Sequence, residues 1–174
     1  MQSRRLQAAD GYAPTGRAPW VSADPEFYLA RNVCIGTDFT GLNSLVLSAQ
    51  NVLRIRNAID VFSCESDPAV RRMIDTTPTV RAPEYTCYGN IRERTVSTMP
   101  SVDVFMTTPS CVPFSRNGKR MPSQHEDVDH VFFSLEYVQL HRPTVVIFEN
   151  VADIVSCPAV FSTIHDALDS YGYM

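Results

Sequence analysis

The stretch TTPSCVPFSRNGKR, residues 107–120, mounts a cysteine between two prolines. Pro109 and Pro113 restrict the backbone on either side of Cys111. A thiol that only fills space needs no such mounting. A nucleophile gains from it, because a stiff loop has less to order during reaction. The thiolate is the reactive form, and nearby cations favour it; Arg116, Lys119 and Arg120 follow in the same segment. The competing assignment is an inert buried thiol, since free cysteines mostly behave as small hydrophobes. Glu149 is the second candidate, directly after TVVIF at 144–148. At the end of a buried strand, desolvation would keep its carboxyl protonated to higher pH, ready to donate a proton or hydrogen bond. Asn150 adds an amide beside it, although Asn150 or Asp153 could instead cap a following helix.

Two more residues point to a ligand. Gly41 follows an apolar run and precedes a helical stripe, where a backbone free of Cβ admits a close ligand at an electropositive helix start. Glu65 lies 24 positions on, near the spacing at which an acidic side chain takes ribose hydroxyls. Together they suggest a nucleoside-bearing cofactor. The same residues could merely shape a turn and cap the helix beginning near Asp67. A metal site is not expected: His125 and His130 in QHEDVDH are five apart, roughly 140° off a common helix face and opposed on a strand. His141 and His165 fall on helical stripes. The five cysteines, at 34, 64, 87, 111 and 157, are odd in number and unpaired in spacing, which excludes a disulfide framework or zinc ribbon and favours reduced thiols.

These residues need elements to carry them. Strand-like runs occur at 32–39, 60–65, 102–107 and 144–150, the last apolar enough for a strand buried on both faces. Helical stripes run through Leu42–Leu53, through Val131, Leu135 and Val138 up to Pro143, and from Val160 to Tyr171, while Pro68 suits a helix's first turn. Alternating strands and helices predict an α/β fold with a mostly parallel sheet, in which ligands sit beyond the carboxyl ends of the strands. Those ends are where Gly41, Glu65, Cys111 and Glu149 fall. Residues 1–30 read as a disordered leader, and no segment approaches the ~18 apolar residues of a membrane span. The net charge of −4 argues against tight independent binding to nucleic acid. Tyr173, after the last stripe, reads as the start of a further strand, which suggests a fragment. A nucleotide-dependent oxidoreductase with a structural Cys111 is a competing class.

PSCVPFSRNGKR followed by RPTVVIFENV resembles the catalytic loop and Glu-Asn-Val segment of cytosine-5 DNA methyltransferases. GTDFTGLNSLVLSAQN is similar to that family's cofactor loop, VFSCESDPAVRRMI to its ribose-binding segment, CYGNIRE to its third cofactor segment, and DHVFFSLEYVQLHRP to the helix before Glu-Asn-Val. Order and spacing agree from about residue 32 to 173. The resemblance implies a Rossmann-like, S-adenosylmethionine-dependent catalytic domain over 31–174, C-terminally incomplete and without its target-recognition region. It implies that Cys111 attacks carbon 6 of a cytosine flipped out of double-stranded DNA while Glu149 acts at nitrogen 3. It implies that Phe39, Gly41, Glu65, Asn90, Pro109 and Val131 hold S-adenosylmethionine, that Ser115 and Arg116 approach the DNA backbone, and that Asn150 orients the catalytic loop. No metal and no membrane enter. The implied setting is intracellular, and nuclear if the source is eukaryotic. Departures stand at Ser110, Val112 and Asn90, where the family favours proline, glutamine and aspartate. They leave open a catalytically inactive, methyltransferase-like fragment that binds cofactor or protein, with DNA held weakly.

Overall fold

A computed structural model describes residues 31–55, 57–114 and 126–173. The leader expected over 1–30 lies outside these residues. Five strands form one parallel sheet: β1 (Val33–Asp38), β2 (Ala58–Cys64), β3 (Arg81–Tyr88), β4 (Val104–Thr107) and β5 (Val145–Phe148), in the order β3-β2-β1-β4-β5. The chain therefore reverses its direction of travel across the sheet between β1 and β4. The parallel α/β sheet is the one the alternation of runs and stripes predicts, and its Rossmann-like form is the one the resemblance implies.

Successive residues of β1 point to opposite faces, and each face has its own cover. Ile35 packs with Val46, Ala49 and Ala58 beneath a short helix, α1 (Ser44–Leu47), and the π-helical turn that continues it (Ser48–Val52). On the other face, Phe62, Phe105, Tyr137 and Val138 form the largest cluster, closed by α3 (Asp129–His141) and the turn at Val96–Thr98. Gly36 lies under Phe62: a Cβ there would stand 2.3 Å from Phe62 Cε1. A third cluster joins α3 to α4 (Pro158–Ser170) through Leu135, Val160 and Ile164, and takes in Phe114 from the Cys111 loop. The remaining helix, α2 (Pro68–Thr76), starts as anticipated, with Pro68 in its first turn. Its N-cap is Asp67, whose carboxylate accepts from Ala69 N at 2.7 Å.

Three local expectations need correction. The stripe over 42–53 is not one helix: Asn43 takes a left-handed conformation, regular α-helix spans only Ser44–Leu47, and Leu42, Val52 and Leu53 are exposed. β5 is not buried on both faces; it is an edge strand among those described, with Val145 44% and Ile147 36% exposed. β3 has no counterpart among the anticipated strands. Pro83 sits inside it, and proline argues against a central strand. The structure accommodates it at the opposite edge, where pairing with β2 slips between Asp60 and Phe62. Tyr173 packs against the core and donates from its hydroxyl to Pro143 O at 2.5 Å.

Candidate functional site

The carboxyl ends of β1, β2 and β3 lie side by side, because Asp38 pairs with Cys64 and Cys64 with Tyr88. Phe39-Gly41, Glu65 and Asn90 therefore leave adjacent strands in sequence across the sheet edge. A cleft of about 270 Å³ opens over β1 and β4, walled by Thr37, Asp38 and residues 40–45 (Gly41 among them), with Met106, Thr108 and Glu149; Phe39 is not part of the wall. Phe39, Gly41 and Asn43 all have φ between 54° and 63°, which folds the loop tightly. Only glycine enters that region freely, and a Cβ on Gly41 would meet nothing within 4 Å. Gly41 N donates to Glu65 Oε2 at 3.0 Å, and Asp67 N to Glu65 Oε1 at 2.9 Å. Glu65 is thus the brace between the β1 and β2 loops, and Asp67 is the helix cap. Thr108 Oγ1 donates to Phe39 O at 2.9 Å, tying the same loop to the chain leaving β4.

Cys111 and Glu149 come from neighbouring strands. Thr107 and Phe148, the last residues of β4 and β5, are register partners, and Glu149 N continues the ladder to Thr107 O at 3.1 Å. Asn150 Nδ2 donates to Pro109 O at 2.9 Å while its own Oδ1 accepts from Val151 N at 2.9 Å, so both ends of the amide are used. The Cys111 loop is pinned at Pro109, which is buried, and again at Phe114, 2% exposed, whose N–H donates to Cys111 O at 3.0 Å. Cys111 is a free thiol and exposed between those pins. Cys111 is therefore not the buried, space-filling thiol of the competing assignment. Cys64 makes the contrast: burial, aided by the Asp38 charge, pushes its thiol up to about 12. Glu149 faces the cleft but is exposed, so the desolvation anticipated for it is absent from this geometry.

The other anticipated residues divide. Phe39 packs its ring 5.2 Å from that of His130, at the start of α3. Asn90 is exposed; its Oδ1 accepts from Arg92 N at 3.0 Å and its Nδ2 donates to Glu93 at 3.2 Å. Val131 is 0% exposed in the α3–α4 cluster and does not line the cleft. Ser115, Arg116, Lys119, Arg120 and His125 lie outside the described residues. Among the described residues no cluster of three metal-ligating side chains occurs, and no helix is long and apolar enough to cross a membrane.

One buried polar network was not foreseen. Asp38, in the cleft wall, is fully buried and paired with the equally buried Arg94. The guanidinium forks onto both carboxylate oxygens, with Nη2 to Oδ2 at 2.7 Å. Ser134 Oγ donates to the same Oδ2 at 2.9 Å and shares a 2.7 Å hydrogen bond with Thr107 Oγ1. The network links β1, β4 and α3 directly beneath the cleft. Its signal in the sequence is a carboxylate ending a buried strand, which demands a cation; nothing local says which of the arginines supplies it.

The sequence model of the family described as C-5 cytosine-specific DNA methylase matches residues 72–174. Among solved structures, an Entamoeba histolytica methyltransferase, EhMeth, superposes with a TM-score of 0.57 at 16% identity, over 80% of this chain and 44% of its own. A precorrin-6y C5,15-methyltransferase from Geobacter metallireducens GS-15 superposes with a TM-score of 0.50 at 13% identity, over 91% and 76%. At such identities the likeness shows a shared fold. The chain spans less than half the length of the Entamoeba enzyme. A search of curated proteins finds no match.

Proposed function

The chain belongs to the C-5 cytosine-specific DNA methylase family, and we propose on that footing that it transfers a methyl group from S-adenosylmethionine to carbon 5 of cytosine in DNA through a covalent adduct on Cys111. The observation that carries the proposal is the Asn150–Pro109 hydrogen bond, which holds the segments bearing Cys111 and Glu149 together at the ends of paired strands.

The residues around the cleft fit a nucleoside-bearing methyl donor. Gly41 leaves the backbone open, Glu65 presents a carboxylate suited to ribose hydroxyls, and Asn90 offers an amide at the end of the next strand. When bound, that donor supplies an electrophilic methyl group. The chain supplies the rest. The Cys111 thiolate adds to carbon 6 of the extruded base, forming the S–C6 bond. The displaced ring electrons collect at carbon 5 while Glu149 hydrogen-bonds nitrogen 3 and stabilises the charge developing there. Carbon 5 takes the methyl group, then loses its proton to solvent, and the returning electron pair expels the thiolate. The carboxyl of Glu149 is exposed in the chain alone; docking of the base against it would remove water and strengthen its bond to nitrogen 3.

Incubation with S-adenosylmethionine and duplex DNA carrying 5-fluorocytosine tests this directly. Fluorine cannot leave as a proton does, so the adduct accumulates and survives denaturing electrophoresis. Cys111→Ser should abolish it with the fold intact by circular dichroism, and Glu149→Gln should reduce it strongly. Absence of adduct, with S-adenosylmethionine still bound by calorimetry, would refute the methylase activity and identify a donor-binding module. The Val112 and Ser110 departures would then be its sequence signature.

A further inference from the structure

Asp60 sits inside β2 with no exposed surface, and the chemistry above makes no use of it. Asn43, 1% exposed, faces it from the turn that walls the cleft. The turn holds a left-handed conformation at Asn43, φ 60°, closed by Asn43 N to Thr40 O at 3.0 Å. Asn43 Nδ2 donates to Asp60 Oδ2 at 2.7 Å. The second oxygen of each group, Asn43 Oδ1 and Asp60 Oδ1, is buried and accepts no hydrogen bond among the described residues. Two orphaned acceptors on groups already joined are costly. A single proton serves both: on Asp60 Oδ1 it becomes a donor, and Asn43 Oδ1 is the acceptor that lacks one. A proton so placed would complete a cyclic acid–amide pair with the Asn43 Nδ2 hydrogen bond.

Thr79 and Arg81 approach the other oxygen of Asp60. Thr79 Oγ1 donates to Asp60 Oδ2 at 3.5 Å, the oxygen already served. Arg81, from β3, reaches only 3.9 Å from the same oxygen; its guanidinium donates to Thr79 Oγ1 and to Ile74 O, and lies over the Tyr85 ring. Tyr85, also on β3, feels the Asp60 charge, and its buried hydroxyl, which makes no hydrogen bond among the described residues, is the competing donor that a Tyr85→Phe variant removes. The Asn43 Nδ2 hydrogen bond, then Arg81 and Thr79, favour the carboxylate, and burial disfavours it. Burial prevails, pushing the Asp60 carboxyl up to about 6.

We propose that Asp60 and Asn43 form a proton-dependent latch: the proton on Asp60 closes the pair and holds the Asn43 turn against β2, and its loss opens the pair and loosens the cleft wall. The consequence for donor binding rests on the cofactor role proposed for the cleft; the latch itself does not.

A carbon-13 NMR titration of the full chain tests it. The Asp60 carboxyl should titrate with a midpoint near pH 6, and the amides of residues 41–45 should shift with the same midpoint. A midpoint in the ordinary carboxylate range of about 4 overturns the proposal, as do amides that stay silent while Asp60 titrates. Asp60→Asn keeps a donor and an acceptor at every pH, so its turn should stay closed and unresponsive. Asp60→Leu should show the loosened turn at both pH extremes; should it fail to fold, Asp60→Asn against wild type decides the matter. S-Adenosylmethionine should bind wild type roughly fivefold more weakly at pH 7.5 than at pH 5, and Asp60→Asn equally at both. Donor binding that is present but independent of pH in wild type overturns the latch. Failure to bind at either pH counts against the cofactor role of the cleft, and the NMR midpoints then judge the latch separately.

Discussion

Replacing Arg94 with leucine leaves the Asp38 carboxylate buried at the end of β1, without a cation and with Ser134 as its remaining side-chain donor. Both partners are essentially inaccessible, Arg94 at 1% and Asp38 at 0% exposure, so water cannot compensate for the missing guanidinium. Breaking a buried pair from one side costs about 3–5 kcal/mol, a large part of the roughly 5–15 kcal/mol that separates folded from unfolded chains. For a chain of this length each kcal/mol moves the melting temperature by about 2–4 °C, so Arg94→Leu should melt roughly 6–20 °C below wild type. The double variant Asp38→Leu/Arg94→Leu removes both charges and restores apolar packing; it should return to within about 1–2 kcal/mol of wild type. Urea unfolding followed by far-ultraviolet circular dichroism gives all terms of the cycle. If the double variant is as unstable as the sum of the singles, the two side chains do not depend on each other and the network beneath the cleft is misassigned. An Arg94→Leu within 1 kcal/mol of wild type would be equally damaging.

Three further outcomes follow from the geometry. Asp60 keeps its proton up to about pH 6 when folded, against an ordinary 3.8; the folded chain binds more protons between those values. The Asp60 contribution to stability should therefore be largest below about pH 4, fall by about 3 kcal/mol as pH rises to 6 and then level off, read as the difference between wild type and Asp60→Asn in urea titrations across pH. Gly36→Ala drives a methyl to 2.3 Å from Phe62, which Phe105 and Tyr137 hem in, so it should cost about 2–3 kcal/mol, partly recovered by adding Phe62→Leu. Asn150→Ala should lower stability by only about 1 kcal/mol. It should nonetheless speed hydrogen exchange across residues 107–114 and slow fluorocytosine-adduct formation by about tenfold; an unchanged adduct rate would mean the tie to Pro109 is dispensable.

Much of this arrangement is legible in the chain because parallel α/β sheets write it locally. Each apolar run ends where a polar, chemistry-bearing residue begins, and the sheet gathers those ends on one side. Cys111, Glu149, Gly41 and Glu65 were located in that way. Local pattern fails where neighbours decide. TVVIF has the composition of a central strand, yet β5 lies at an edge; β3 contains a proline, yet forms because an edge tolerates it. The exposed Glu149 could not be foreseen for the same reason. Arg94 meets Asp38 across 56 residues, and Asp60 meets Asn43 from a different element; no periodicity encodes either encounter. Val131 was assigned to the cofactor pocket by resemblance alone; it is buried in the α3–α4 cluster, a placement set by packing between helices rather than by local pattern.

The strand order β3-β2-β1-β4-β5 splits the chain into two arms that touch along a single seam, β1 against β4. On the proposed function, the arm ending in Phe39, Gly41, Glu65 and Asn90 would hold the donor, and the arm ending in Cys111, Glu149 and Asn150 would carry the reaction. The seam keeps a four-residue register from Ile35–Val104 to Asp38–Thr107, and Phe62 of one arm packs on Phe105 of the other across it. Such a seam concentrates intolerance to change in the few side chains that stitch the halves together.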